Sequence, residues 1–295
     1  MSVTSAMYTG VSGLINNGEA MNVIGNNISN VNTIGFKTGR TLFSDMLSSS
    51  IGNNSQIGRG VQIQKVDNVF GQGSLESTSS LTDLAIQGDG FFALGAPNSS
   101  GTATPASAYY TRAGSFRLDS TGLGLVNPDN YKVLDTAGNA ITFPPTYTDT
   151  NNNTLNFQKV TGVDSNGAIS LLYSDANGNT ATVYYAGSGA VDPAYANAVK
   201  IAEVNIPNPP GMTKQGGTLF SLTTDSGTPA APASGVFASA NGTSEKVLSN
   251  SLELSNVDMS TEFVNMITTQ RAYSANSKTI TTVDQMTQDV LNMIR

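Results

Sequence analysis

Two amphipathic stripes, one at each end of the chain, constrain the fold more than any other feature of the sequence. Apolar side chains recur every seven residues at Met7, Leu14, Met21 and Ile28, and again at Met259, Met266, Tyr273 and Ile280. A heptad repeat is typical of helices that pack along a seam. Because an isolated helix is marginal in water and is stabilised mainly by burying one face, each end needs a packing partner.

The residues predicted to pack belong to a first helix within 1–32 and a second within 257–295. In the first helix they are Met7, Val11, Leu14, Met21, Ile24, Asn26, Asn27, Ile28 and Asn30. In the second they are Met259, Phe263, Met266, Tyr273, Ile280, Val283, Met286 and Val290. The outer faces carry uncharged polar residues rather than the Glu and Lys pairs of a solvated helix. This favours subunit packing in a large assembly, and the alternative is a two-helix coiled coil within one chain.

Local signals predict where the helices begin and end. Gly35 is a plausible stop for the first helix, and Asp258 or Ser260 is a candidate N-cap for the second. The second helix is expected to run to Arg295, since neither Pro nor Gly interrupts it. Asn26, Asn27 and Asn30 weaken an ordinary helix, so we expect their amides to bond to neighbours away from water.

The sequence pattern in the middle of the chain predicts β structure. Short alternating or apolar runs are separated by Gly, Asn and Asp turns, at 61–66, 84–87, 91–94, 109–112, 115–118, 168–173, 181–185 and 199–204. This predicts a mixed, mainly β protein, with an all-β irregular sandwich or barrel over 76–225 flanked by the long N- and C-terminal helices. The segments 33–75 and 226–256, rich in Gly, Ser, Asn and Thr, are interpreted as extended linkers.

Composition narrows the possible functions. The 295 residues include no Cys, no His and no Trp, which excludes thiol and imidazole chemistry and the usual zinc sites. The formal charge of −7 argues against nucleic acid as a partner. No apolar run is long enough to span a membrane, and the N-terminus lacks the pattern of a cleavable secretion signal. We therefore expect no cofactor, no metal and no membrane insertion.

Two weak motifs, one like a calcium loop and one a set of aspartates, have simpler structural interpretations. The run 175–179 starts like a calcium loop, but Thr180 and Ala186 stand where such a loop needs Gly and Glu, so a hairpin turn is favoured. Asp83, Asp89 and Asp119 could be imagined as paired carboxylates for glycoside cleavage. They lie beside turns and nothing in the sequence brings two of them together. The chain is therefore not expected to be an enzyme.

An ordered string of motifs resembles the bacterial flagellar rod and hook proteins. It comprises NVIGNNISNVNTIGFK at 22–37, FSDML at 43–47, DLAIQGDGFF at 83–92, YTRAGSF at 110–116, LELSNVD at 252–258, EFVNMI at 262–267 and QRAY at 270–273. The resemblance implies that the terminal helices form the inner tube of a hollow axial structure, with the β domain outside. It also implies export through the flagellar type III apparatus to an extracellular location in the hook or basal body.

Within this family the sequence favours a hook subunit over a rod subunit. The C-terminal stretch 283–295 looks more like a hook protein, and the insertion typical of the distal rod protein after FSDML is short or missing at 48–60. Against this, many hook proteins have a further outer β domain, for which 146–200 is too short. The expected partners are further copies of the chain and the neighbouring rod, cap and hook–filament junction proteins.

A second interpretation belongs to another class, a carbohydrate-binding surface β protein. It would present Tyr109, Tyr110, Tyr184 or Tyr185 to sugars. Because Trp, the usual platform for sugars, is absent, this interpretation is the weaker one.

Overall fold

The chain folds into two units, each assembled from segments that are far apart in the sequence. A computed structural model describes residues 3–47, 49–52, 55–97, 102–150, 152–176, 178–229, 236–243 and 245–293. The first unit consists of Met1–Asn32, Lys37–Val69 and Val257–Arg295, and the second of Thr33–Phe36 and Phe70–Asn256.

The first unit contains both long helices and a β-hairpin. Its elements are α1 (Val3–Ser29), β1 (Gly39–Asp45), β2 (Ser49–Gly52), β3 (Ser55–Ile57), β4 (Val61–Asn68) and α2 (Met259–Met293). β1 pairs antiparallel with β4, from Gly39 opposite Asn68 to Asp45 opposite Val61. β2 and β3 form a second antiparallel pair. The segment 33–75, interpreted from sequence as a linker, thus carries regular β structure.

The second unit is built from short strands. They are β5 (Leu75–Ser77), β6 (Leu84–Gln87), β7 (Phe91–Gly95), β8 (Tyr109–Thr111), β9 (Arg117–Leu118), β10 (Leu125–Val126), β11 (Lys132–Val133), β12 (Thr146–Thr148), β13 (Thr154–Val163), β14 (Ile169–Ser174), β15 (Thr180–Gly187), β16 (Ala190–Asp192), β17 (Glu203–Val204), β18 (Thr213–Gly216), β19 (Leu219–Ser221), β20 (Lys246–Ser249) and β21 (Ser251–Glu253). Single-turn 3₁₀ helices lie at Tyr195–Asn197 and Pro209–Gly211.

These strands form one large sheet, one meander and two strand pairs. The large sheet has the order β18-β19-β8-β7-β11-β10-β9, with β17 also pairing with β7. β12 to β16 form a five-stranded antiparallel meander, and the pairs are β20 with β6 and β21 with β5. The segment 226–256 therefore also ends in strands, and its residues 230–235 and 244 lie outside the described residues.

The core of the second unit has two parts, which lie on opposite faces of β7. Phe92 and Leu94 belong to the larger cluster, which includes Leu171 and Tyr173 of the meander. Phe91, on the other face, packs in a smaller cluster with residues such as Tyr110 and Phe220. Successive side chains of a strand point to opposite faces, so a strand covered on both sides reads as a continuous apolar run. A mainly β body with a long helix at each end confirms the predicted fold class.

Some boundaries differ from the sequence predictions. The strand predicted over 199–204 is paired as a strand only at Glu203–Val204, since Lys200 and Ile201 make isolated bridges to Ala168 and Asp135. The strand predicted over 115–118 is confined to Arg117–Leu118. The first helix ends at Ser29 rather than at Gly35. The second begins as predicted and is described as far as Met293, so 294–295 lie outside the described residues.

Candidate functional site: the terminal helices

The two terminal helices pack against each other in antiparallel directions through glycines of α1. A Cβ added to Gly10 would lie 3.0 Å from Cγ1 of Ile280, and one on Gly13 would lie 2.6 Å from Nδ2 of Asn276. A Cβ added to Gly18 would lie 3.9 Å from Cε2 of Tyr273, which is an ordinary van der Waals distance. Side chains on α2 therefore occupy the space that a Cβ would need at Gly10 and Gly13, which lets the two backbones approach closely.

The most buried face of α1 is not the heptad stripe. Gly13, Ala20 and Asn27 are buried, and each precedes a residue of the heptad stripe by one position. Gly10 and Ile24, which is one of the residues predicted to pack, are buried on the same face. One residue is about 100° around a helix, so the heptad residues lie beside the intramolecular seam rather than in it. A Cβ added to Gly25, in contrast, would have no described atom of another element within 4 Å.

Polar side chains of α1 hold the hairpin of β1 and β4. Asn16 donates from Nδ2 to the carbonyl of Val61 (2.8 Å) and accepts at Oδ1 from the amide of Ile63 (2.9 Å). Asn27 makes the same pair of bonds with Gly39, at 2.8 and 2.9 Å. Eleven residues separate these two asparagines, which is close to three helical turns, so both lie on one face. Sequence reasoning missed Asn16, although this spacing is a readable signal.

Asp258 caps the N-terminus of α2. Its Oδ1 accepts the amide of Ser260 at 2.9 Å and its Oδ2 accepts the hydroxyl of Thr261 at 3.0 Å. The hydroxyl of Thr261, with the amides of Thr261 and Ser260, lowers the pKa of Asp258. Of the two predicted N-caps, Asp258 is the residue that caps α2. Glu262 in the first turn is buried, and its Oε2 finds no hydrogen-bond partner among the described residues.

Both helices leave large apolar side chains in solvent. On α1, Tyr8 is 75% exposed and Ile15 57% exposed. On α2, Val264 is 59% exposed and Leu291 62% exposed. Exposed apolar side chains of this kind, on the N-terminal half of α1 and along α2, are unusual for a chain that functions alone.

The residues predicted to pack fall into three groups by burial. Those that are buried are Ile24, Asn27 and Val283. Those that are half-buried are Leu14, Met21, Ile28, Asn30, Met266 and Ile280. Those that are exposed are Met7, Val11, Asn26, Met259, Phe263, Tyr273, Met286 and Val290. The amide of Asn27 is already used within the chain, whereas the exposed group is free to contact another molecule.

The motifs considered for other functions are structural in the second unit. Asp175 accepts the amide of Asn179 at 2.9 Å in the turn between β14 and β15, whose Asn177 lies outside the described residues. Burial raises the pKa of Asp119, but hydrogen bonds from Thr121, Gly124 and Leu123 outweigh it and lower the pKa. The carboxylate of Asp119 therefore accepts hydrogen bonds within its own turn.

The tyrosines of the carbohydrate interpretation are only partly accessible. Tyr110 and Tyr185 are fully buried, and their hydroxyls donate to the carbonyl of Pro105 and to Oδ2 of Asp135. Tyr109 packs edge-on against Tyr131. Tyr110 and Tyr185 therefore cannot present a ring face to a sugar, whereas Tyr109 and Tyr184 are half-buried.

The described residues contain neither a candidate metal site nor a candidate membrane-spanning helix. No group of three or more acidic side chains there is arranged to hold a metal ion. Neither described helix is long and apolar enough to cross a bilayer.

Comparison with known proteins assigns the chain to a family. It is 35% identical to the flagellar basal-body rod protein FlgG of Bacillus subtilis over 302 aligned residues, which cover 98% of this chain and 99% of that protein. The chain belongs to the family of flagellar rod and hook proteins. It is also 33% identical to the FlgG rod protein of Borreliella burgdorferi over 95% of both chains. The similarity to that organism's flagellar hook protein FlgE is higher but shorter, at 42% over 137 residues, or 42% of this chain and 29% of that protein.

Three family profiles match in the order of the sequence motifs. They are the flagella basal body rod protein profile at 7–37, the D1 domain of the flagellar hook proteins FlgE/F/G at 85–171, and the C-terminal profile of the flagellar basal body rod FlgEFG proteins at 248–293. The two outer matches fall on α1 and α2. The family is structural and belongs to the bacterial flagellum, as the sequence motifs predicted.

Proposed function

We propose that this chain is a self-assembling subunit of the flagellar axial structure and that its terminal helices are the surfaces through which copies pack. The observation that carries the proposal is the exposure of large apolar side chains along both helices, from Tyr8 and Ile15 to Val264 and Leu291. Covering such side chains contributes about 25 cal/mol for each square ångström removed from water. Packing between α1 and α2 does not supply this, because these side chains lie outside the contact between the two helices and stay exposed in the folded chain.

Point charges on the exposed face test this proposal directly. Ile267 is 50% exposed and Met286 57% exposed, so Ile267→Lys with Met286→Lys is expected to leave the monomer folded and to prevent polymerisation. Thr148→Lys, on the exposed edge strand β12, is the matched control and is expected to polymerise. Sedimentation and negative-stain microscopy read out the polymer, and circular dichroism reads out the fold. If the double variant polymerises like the control, the helices are not the packing surface.

Within the axial structure we propose the hook as the position of this subunit. Two observations support it. The chain is 42% identical over 137 residues to the hook proteins of Borreliella burgdorferi and of Treponema pallidum, compared with 33% over 296 residues for the rod protein of Borreliella burgdorferi. The connection between β1 and β4 is also short, spanning residues 46–60, and its described residues form the pair β2 and β3. In this role the subunit would form a curved, flexible tube that transmits torque from rod to filament.

The distal rod is the second candidate, and a different observation favours it. The rod relatives match along almost the whole chain, including the β body, whereas the hook relative from Borreliella burgdorferi is covered over only 29% of its length. Electron microscopy of polymers assembled from the purified chain separates the two positions. Curved tubes with several forms support the hook, and short straight rods support the rod.

The remaining partners follow from this position. We propose that the chain is exported by the flagellar export apparatus and that the ends of its polymer contact neighbouring rod, cap and hook–filament junction proteins. Deleting residues 1–32 is expected to abolish incorporation into the flagellum, because it removes α1 and its exposed face. A deletion variant that still enters the flagellum would contradict the proposal.

A further inference from the structure

Arg112 and Glu253 form an ion pair that is shut off from solvent in the β body. Nη1 of Arg112 lies 3.2 Å from Oε2 of Glu253, and the two side chains are 1% and 0% exposed. Nη2 of Arg112 donates to the carbonyl of Gly88 at 2.8 Å, and the guanidinium lies over the ring of Phe91. Removing two charges from water costs free energy that offsets much of their attraction. The pair therefore adds little net stability, and its importance lies in the chain segments that it connects.

Glu253 joins chain segments that lead to both terminal helices. Its carbonyl accepts the amide of Gly35, shortly after α1, at 2.8 Å. Its Oε1 accepts the amide of Gly73 at 2.8 Å, and its own strand β21 is followed by the segment that enters α2. A Cβ on Gly35 would collide with the backbone of Ala113, and one on Gly73 with the carbonyl of Leu254. We call Gly35, Gly73, Arg112 and Glu253 the clasp.

A second buried carboxyl, Glu203, lies beside the clasp. It is 2% exposed, and both of its carboxyl oxygens and Nε of Arg112 lack a hydrogen-bond partner among the described residues. Its side chain lies over Gly90, where a Cβ would collide with Oε1. Burial, with a smaller contribution from the charge of Glu245, raises the pKa of Glu203 to about 7, although Arg112 acts to lower it. Asp89, next to Gly90, is exposed to solvent.

We propose that Glu203 competes with Glu253 for Arg112 under the control of a single proton. Neutral Glu203 leaves Arg112 committed to Glu253, and the clasp is closed. Ionised Glu203 is a buried charge that requires a partner, and the unsatisfied Nε of Arg112 is the available donor. The guanidinium is then shared, its bond to Glu253 weakens, and the chain segments at Gly35 and Gly73 are released. The competition is a property of one chain and does not depend on the proposed assembly.

Amide hydrogen exchange of the full-length monomer tests the competition. The amides of Gly35 and Gly73 report on the clasp, and their protection is corrected for the intrinsic pH dependence of exchange. Between about pH 5.5 and about pH 8.5 we expect their protection in the wild type to fall at least about tenfold. Glu203→Gln keeps the neutral form and is expected to hold protection constant over this range. Parallel loss of protection in the wild type and in Glu203→Gln would overturn the proposal, as would constant protection in the wild type.

Two further variants separate the clasp from general effects of charge. Glu76→Gln removes an exposed carboxyl on β5 and is expected to follow the wild-type pH profile. Glu253→Leu removes both side-chain acceptors, the one that binds Arg112 and the one that binds the Gly73 amide, and is expected to expose the Gly73 amide at every pH. If Glu253→Leu leaves the Gly73 amide protected, the carboxylate of Glu253 does not hold the clasp together. If that variant fails to fold, Glu203→Gln still decides, because it reproduces the neutral form that is favoured in the folded chain.

Discussion

Asn27 and Gly39 exchange two hydrogen bonds, in which the side-chain amide of Asn27 takes the place of a neighbouring strand. Nδ2 donates to the carbonyl of Gly39 and Oδ1 accepts its amide, at 2.8 and 2.9 Å. Asn27 is 1% exposed, so water cannot replace either bond. The beginning of β1 is thereby fixed to the last turns of α1 within the first unit.

Replacing Asn27 with Ala is expected to destabilise the first unit. The change leaves a buried amide and a buried carbonyl of Gly39 without partners, at a cost of about 2–4 kcal/mol. Asn26→Ala is the matched control, since Asn26 is exposed one position away, and it is expected to change stability by less than about 0.5 kcal/mol. Urea denaturation followed by circular dichroism measures both. Equal effects would show that the bonds to Gly39 contribute little.

Alanine at Gly13 and at Gly25 should act in opposite directions. Both changes raise helix propensity by about 1 kcal/mol, but a Cβ at Gly13 would lie 2.6 Å from Nδ2 of Asn276 and one at Gly25 is clear of described atoms within 4 Å. Gly25→Ala is therefore expected to raise the melting temperature. Gly13→Ala is expected to lower it, because overpacking costs about 1–3 kcal/mol. If Gly13→Ala is the more stable variant, α1 and α2 do not pack through this glycine.

Comparing Gly35→Ala with Gly122→Ala separates the cost of a clash with neighbouring backbone from the cost of a left-handed backbone conformation. Both have positive φ, +68° and +73°, but a Cβ on Gly35 would collide with the backbone of Ala113 and one on Gly122 meets no described atom within 4 Å. Gly122→Ala is expected to cost about 1 kcal/mol, the price of a left-handed alanine. Gly35→Ala is expected to cost about 3 kcal/mol or more, since backbone must also move. Similar losses in thermal denaturation would argue against the close approach at Ala113.

Tyr195 is expected to contribute to acid sensitivity through Asp164. Its hydroxyl donates to Oδ2 of Asp164 at 2.6 Å, and this bond is the main reason why the pKa of Asp164 lies below 3.8. The contribution is present above the unfolded pKa and is lost as the pH falls through the lower folded value. Because both residues are exposed, we expect less than about 1 kcal/mol. Tyr195→Phe should flatten stability below about pH 4, whereas Tyr184→Phe, which keeps the bond, should not.

The sequence determined the elements and the family because these depend on local patterns. Heptad spacing marked both helices, Gly and Asn turns marked the strands of the β body, and Asp258 was one of two readable caps. Strand limits were less predictable, because Lys200 and Ile201 pair with single residues, Ala168 and Asp135, that lie far away in the chain. The motifs at the two ends carried the family assignment without any knowledge of the fold.

Only the tertiary structure decided which surfaces are used inside the chain and which are left for other molecules. Hydrophobic periodicity points to the heptad residues such as Met7 and Leu14, but the intramolecular seam runs through Gly10 and Gly13, because close approach of two backbones depends on the absence of side chains. Burial of Glu203 beside Arg112 was likewise invisible in sequence, since it results from strands that meet only after folding. A pattern along the chain reports which side chains favour burial, whereas the neighbour that buries each one is set in three dimensions.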